Sequence, residues 1–150
     1  SKMTTFKAFT SSDSSLVIKM MEDFYSIDNY PFDNENSRKL LHQFLQDENL
    51  GKGWLIYHEN EVVGYVILIF IFSFEYQGKI AFLDELYIKK TARGKGIGRR
   101  ALQFIQEEAP KLSLKVIYLE VEPHNETAQK LYLANDFAIH KRKLLKYTVN

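Results

Sequence analysis

Lys89-Lys90-Thr91-Ala92-Arg93-Gly94-Lys95-Gly96-Ile97-Gly98-Arg99-Arg100 separates an apolar run over residues 80–88 from a segment in which Ile97, Ala101, Ile105 and Ala109 recur every four residues. The run before it predicts a strand. The periodicity after it predicts a helix over 96–109, stopped by Pro110. These twelve residues hold six bases, three glycines and no acid. The first amides of a helix have no intrahelical acceptor and carry the positive end of its dipole, so they can bond phosphate oxygens directly. Glycine lets the backbone come close and take positive φ. Strand, basic glycine-rich turn and helix together predict an α/β protein with an anion site at the turn. A solvated basic loop is the plainer alternative.

Two other kinds of phosphate loop share some of these features. A Walker loop fails because no Gly-Lys-Ser/Thr closes the motif. Gly96-Ile97-Gly98-Arg99-Arg100-Ala101 does fit the dinucleotide pattern G-x-G-x-x-A, and Glu120 lies nineteen residues beyond Ala101. That motif places its glycines at the strand end, however, whereas residues 89–93 intervene here. About fifty residues follow the loop, too few for a full doubly wound domain.

Toward the N-terminus, a short strand is expected over 6–9 and cap candidates over 11–15. A helix through Leu16, Met20 and Phe24 should then stop near Asp28. Tyr30-Pro31 breaks the pattern, and a second helix runs through Leu40, Leu41, Phe44 and Leu45 to the Gly51-Lys52-Gly53 turn. Strands over 54–58 and 62–74 are joined by Glu59-Asn60. Beyond the loop helix the expectation is a strand over 116–121, a helix over 125–135, and short strands over 137–140 and 144–149. With no repeat or linker, residues 6–149 read as one domain.

Twenty Lys and Arg against nineteen Asp and Glu leave a net charge of +1, not the field of a general nucleic-acid binder. The longest apolar run, 62–72, has eleven residues, and a helix needs about 18 or more to cross a bilayer. No charged-then-apolar leader opens the chain, so a soluble, cytoplasmic protein without a membrane partner is expected. Cysteine is absent, which excludes disulfides and thiolate chemistry. His42, His58, His124 and His140 form no metal-binding spacing, so no metal is expected.

Arg93-x-x-Gly96-x-Gly98, preceded by Leu86-Tyr87-Ile88, resembles the acyl-CoA signature R/Q-x-x-G-x-G/A of the GNAT superfamily of N-acetyltransferases. A second segment, from Val121-Glu122-Pro123-His124-Asn125 through Ala128, Leu131 and Tyr132 to Asn135-Asp136-Phe137, is similar to that family's N-x-x-A-x-x-L/F-Y-x-x-x-G-F pattern. Asp136 stands where the pattern has glycine, and Asp tolerates the left-handed backbone better than most residues. The resemblance implies a mixed α/β (α+β) GNAT fold, a mostly antiparallel sheet of six to seven strands flanked by about four helices. It implies acetyl-CoA between the strand ending at Ile88 and the strand over 116–121. Backbone groups of Leu86, Tyr87 and Ile88 would meet the pantetheine arm. Amides of Arg93, Gly94, Lys95, Gly96, Ile97, Gly98 and Arg99 would hold the pyrophosphate, and Asn125 would touch the cofactor near its helix start.

Acetyl transfer to an amine needs a neutral nucleophile, a held thioester and a proton for the departing thiolate. The resemblance places Tyr132 near the coenzyme A sulfur as that proton donor, and a phenol with a pKa near about 10 stays protonated at neutral pH. Its spacing with Ala128, Leu131 and Asn135 also suits an ordinary core aromatic. Asp84 and Glu85 are consecutive acids in an apolar strand, and alternation sends them to opposite faces. Asp84, sharing its side with Phe82, Leu86 and Ile88, is preferred for binding or deprotonating the amine, with Glu85 second. A structural salt bridge is the alternative reading.

Residues 13–50 hold eight acids against the three bases Lys19, Arg38 and Lys39. In relatives the first two helices cover the acceptor, so Tyr25, Asp28, Tyr30 and Asp33 are candidates for a rim that attracts ammonium. The expected partner is a small-molecule cationic amine. A protein N-terminus or lysine acceptor, and a non-catalytic coenzyme A-binding module, remain open, as does a homodimer.

Overall fold

Glu59 and Asn60 both adopt left-handed backbone, with φ of 52° and 69°. A two-residue turn of that hand matches the twist of the strands it joins. In the computed structural model, which describes residues 3–150, this turn connects β2 (Gly51–His58) to β3 (Glu61–Ser73). β1 (Thr4–Ala8) pairs antiparallel with β2, and β4 (Gly78–Ile88) pairs antiparallel with β3. β5 (Ile117–Tyr118) adds parallel to β4, giving the order β1-β2-β3-β4-β5. The helices are α1 (Ser14–Ile27), α2 (Asn34–Gln46), α3 (Ile97–Lys111) and α4 (Glu126–Ala134). No helix among the described residues is long and apolar enough to cross a membrane.

The chain divides into two compact units, Ser1–Glu120 and Val121–Asn150. In the first, strand alternation gives the sheet two apolar faces. Leu55, Tyr65, Ile67 and Tyr87 pack with Val17, Ile18 and Met20 of α1 and Leu41 of α2. On the other face Phe6 and Trp54 hold Phe104 of α3, at ring separations of 4.0 and 5.3 Å. Leu102 and Ile105 of that helix are completely buried, each worth about 1.5–3 kcal/mol of transfer free energy. Gly64 is required where β3 meets the end of β4, because a Cβ there would run into the Tyr87 carbonyl.

Three expectations are corrected. The sheet has five strands among the described residues rather than six to seven, because residues 135–150 join no ladder. Ile139, Leu145 and Tyr147 are exposed there, and apolar alternation makes a strand only where another strand accepts its hydrogen bonds. The strand expected over 116–121 pairs only at Ile117 and Tyr118. Pro110 lies inside the last turn of α3 instead of stopping it. Its missing N–H is tolerated because Leu112 and Ser113 still donate to the carbonyls of Glu108 and Pro110, closing the turn beyond it.

Candidate functional site

Past Ile88 the chain is pinned by the Lys89 amide, which donates to the Val63 carbonyl at 2.7 Å. Lys90–Ala92 make one 3-10 turn around buried Ala92. Arg93 folds its Nε–H back onto the Ile88 carbonyl at 3.1 Å, which ties the loop to the strand it leaves. Gly94 and Gly96 have φ of 78° and 77°, the left-handed region that only glycine enters cheaply. Gly96 is the N-cap of α3, and no side chain caps that helix. The first helical bond runs from the Arg100 amide to the Gly96 carbonyl, so the amides of Ile97, Gly98 and Arg99 have no acceptor in the helix. A Cβ on Gly94 or Gly96 would meet nothing within 4 Å. Three free amides at a helix start, over backbone left bare of side chains, fit a pyrophosphate.

Beside this loop the sheet comes apart. β4 and β5 pair only at Ala81 with Ile117 and Phe82 with Tyr118. From Leu83 to Ile88 that edge of β4 has no ladder partner, although its other edge pairs with β3 to the end. The same stretch carries a β-bulge. Ile67 of β3 faces Glu85 and Leu68 faces Leu83, which leaves Asp84 as the extra residue. The bulge resets the alternation: Leu83, Leu86 and Ile88 share the α3 face, while Phe82, Glu85 and Tyr87 share the α1 face. Asp84 therefore does not sit in one row with Phe82, Leu86 and Ile88, as simple alternation predicts.

Glu85 projects beneath α1 and receives two phenols. Its Oε1 accepts the Tyr65 hydroxyl at 2.6 Å and its Oε2 accepts the Tyr25 hydroxyl at 2.7 Å. Burial pushes the Glu85 carboxyl up, the two tyrosine hydrogen bonds oppose this, and the Asp84 charge adds to the rise. Burial and the Glu85 charge push both phenols up, so they remain donors. Asp84 reaches solvent, yet partial burial and then the nearby Glu120 charge push it above the usual carboxylate range. Neither acid forms an ion pair among the described residues. Sequence reasoning did not place Tyr65 or Glu120 at the site: strand register brings Tyr65 to Glu85, and Glu120, two residues past the end of β5, comes near Asp84 only in the folded chain.

A stability consequence follows from the Glu85 shift. Above its ordinary value of 4.5 the unfolded carboxyl ionises while the folded one keeps its proton. The contribution is therefore present below the unfolded pKa and lost as pH rises through the folded one. Relative to Glu85→Gln, the wild-type Tm should fall as pH is raised from about 4 toward neutral. Thermal melts of both proteins across that range check it, and a pH-independent difference would refute the burial of this charge.

Of the proposed rim, Tyr25 turns inward onto Glu85, with Phe32 edge-on to its ring at 5.4 Å. Asp28 is the C-cap of α1 and is exposed, as is Tyr30. Asp33 caps α2 by accepting the Asn36 amide at 3.1 Å. Tyr25 thus belongs with the strand acids, whereas Asp28, Tyr30 and Asp33 mark the α1–α2 connection.

In the unit Val121–Asn150, Asn125 caps α4 by accepting the Ala128 amide at 3.1 Å. Asp136 takes φ 71°, the left-handed turn expected of it. The Tyr132 carbonyl accepts the Asn135 and Phe137 amides, its ring meets Phe137 at 6.0 Å, and burial pushes its phenol up.

Residues 18–137 match the acetyltransferase (GNAT) family. The chain belongs to that family. It is 32% identical over 54 residues to the D-amino-acid N-acetyltransferase HPA3 of Saccharomyces cerevisiae, covering 36% of this chain and 34% of that protein. It is 33% identical over 73 residues to the thialysine N-epsilon-acetyltransferase of Bos taurus, covering 49% and 42%. The match thus spans about a third and two fifths of these GNAT relatives' lengths. The crystal structure of a predicted acetyltransferase with acetyl-CoA from Clostridium acetobutylicum shares the fold, with a TM-score of 0.79 at 17% identity over 97% of this chain and 96% of that one.

Proposed function

We propose that this GNAT chain transfers the acetyl group of acetyl-CoA to a primary amine, and that the amine is small and cationic. The observation that carries the proposal is the set of free first-turn amides of α3 beside the unpaired edge of β4. In this reading the amides from Arg93 to Arg99 hold the pyrophosphate, and Leu86, Tyr87 and Ile88 offer their open backbone edge to the pantetheine arm. When bound, acetyl-CoA supplies an activated acyl carbon. Asp84, free of hydrogen-bonded partners among the described residues and raised in pKa, accepts a proton from the ammonium, which frees the nitrogen lone pair for attack. Tyr132, its phenol kept protonated by burial, would hold the proton needed by the departing thiolate. Asn125 orients the cofactor near the start of α4. The family match takes in parts of both compact units, which supports reading residues 6–149 as one domain.

The acceptor class rests on charge. In α1 Lys19 is paired with Asp23 at 3.0 Å, and Asp28 and Asp33, flanking the α1–α2 connection, form no salt bridge among the described residues. Relatives named for D-amino acids and thialysine support an amine acceptor. The test is acetyl transfer to a panel of diamines, neutral amines and acidic amines, run beside coenzyme A binding. Binding without transfer to any amine would leave only a coenzyme A-binding module. Asp28→Asn with Asp33→Asn removes both charges while keeping a competent N-cap. It should raise KM for diamines about two- to tenfold at low salt, less at high salt, with acetyl-CoA unaffected. Better turnover of neutral amines, or a double variant indistinguishable from wild type, would reject the cationic acceptor.

A further inference from the structure

The start of α3 has a second basic face, turned toward the first strands rather than toward the opening beside β4. A cleft of about 650 Å³ is lined there by Thr4, His58, Lys95, Gly96, Arg99 and Arg100, together with Met3. His58, the last residue of β2, is only 7% exposed. Its Nδ1 lies 2.9 Å from the Thr4 hydroxyl, and its Nε2 is buried without a partner. In the tautomer in which the Thr4 hydroxyl donates to Nδ1, Nε2 bears the hydrogen and is a donor in want of an acceptor. Leaving such a group unsatisfied costs about 1–3 kcal/mol. Lys95 and Arg99 have no hydrogen bond or ion pair among the described residues, and Arg100 reaches Glu107 at 3.4 Å and lies over the Phe6 ring at 5.6 Å. No carboxylate among the described residues lines the cleft.

A buried imidazole donor, three cations and no acid make a built anion site, and the charge suits a dianion better than a carboxylate. We propose that this cleft binds a phosphate monoester, separate from the pyrophosphate assigned to the first-turn amides of the same helix. Two sources share that chemistry. One is the 3′-phosphate on the ribose of coenzyme A, an option that rests on the function proposed above. The other is free phosphate or a phosphorylated metabolite, which does not.

Calorimetry with coenzyme A and 3′-dephospho-coenzyme A, and thermal melts in inorganic phosphate against chloride at equal ionic strength, decide between them. The proteins compared are wild type, Lys95→Gln with Arg99→Gln, and His58→Asn. If the monoester belongs to the coenzyme, wild type should bind it about tenfold or more tightly than the dephospho form, and both variants should bring that ratio toward one. If the source is free phosphate, the ratio is near one in every protein, while phosphate raises the wild-type Tm above the chloride control and the variants lose that rise. A wild-type ratio near one with no phosphate-specific stabilisation overturns the site. Should His58→Asn fail to fold, the exposed Lys95 and Arg99 pair still gives the answer. Should wild type bind neither coenzyme, the acetyltransferase reading falls, and the comparison of phosphate with chloride still judges the cleft.

Discussion

Tyr132→Phe should lower kcat by about 10²- to 10⁴-fold, the usual contribution of a general acid, while changing the affinity for acetyl-CoA by no more than about twofold. The ring keeps its packing against Phe137, and the carbonyl that closes the end of α4 belongs to the backbone, so the substitution removes only a hydroxyl. Burial holds the phenol above its ordinary value of 10.0. The donor therefore stays protonated through neutral pH, and the loss in kcat should persist across that range. Any decline in wild-type turnover from deprotonating this group belongs above that ordinary value. Single-turnover measurement separates the chemical step from product release. Wild-type turnover in the variant from neutral to alkaline pH would remove Tyr132 from the mechanism and return it to the status of a packed aromatic.

Gly96→Val should weaken coenzyme A binding by about 100-fold or more, since charge-assisted hydrogen bonds from the first-turn amides are worth about 1.5–3 kcal/mol each and at least two would be lost. Two effects contribute, and they are separable. The residue sits at φ 77°, where an L side chain costs about 1–2 kcal/mol whatever surrounds it. The Cβ itself meets nothing within 4 Å, so the free protein has room for it and the space being filled is the space proposed for the ligand. Thermal melts without ligand measure the backbone cost, and calorimetry with coenzyme A measures the block. Gly96→Ala should show much of the first and less of the second. Unchanged affinity in a folded Gly96→Val protein would end the assignment of the pyrophosphate to this loop.

Most elements up to α4 were legible from local signals, whereas the strands expected over 137–140 and 144–149 were not, because a strand also needs a neighbour to accept its hydrogen bonds. The loop between β4 and α3 needs only contiguous residues, because glycine conformation, basic charge and helix periodicity all act within a few positions. Asp136 in a left-handed turn and Asn125 at a helix start are readable for the same reason. The face of Asp84 was not readable. Alternation is reliable only while two strands stay in step, and the slip opposite Ile67 and Leu68 is a property of the β3–β4 pairing. Tyr65, twenty positions before Glu85, reaches it only through that register. Acidic residues in the first two helices read alike in the sequence, yet Asp33 caps a helix while Asp28 carries no cap bond from its side chain.

The order of elements up to α4, the basic glycine-rich turn before α3 and the family were readable from the chain, because each is written in short-range patterns. Only the folded chain shows that the ladder between β4 and β5 stops after Phe82, that the bulge singles out Asp84, and that His58, bonded to Thr4, lines one cleft with Lys95 and Arg99. Those are contacts between residues distant in the chain. No composition or spacing encodes them, because they depend on which strands pair, in which register, and where the pairing ends.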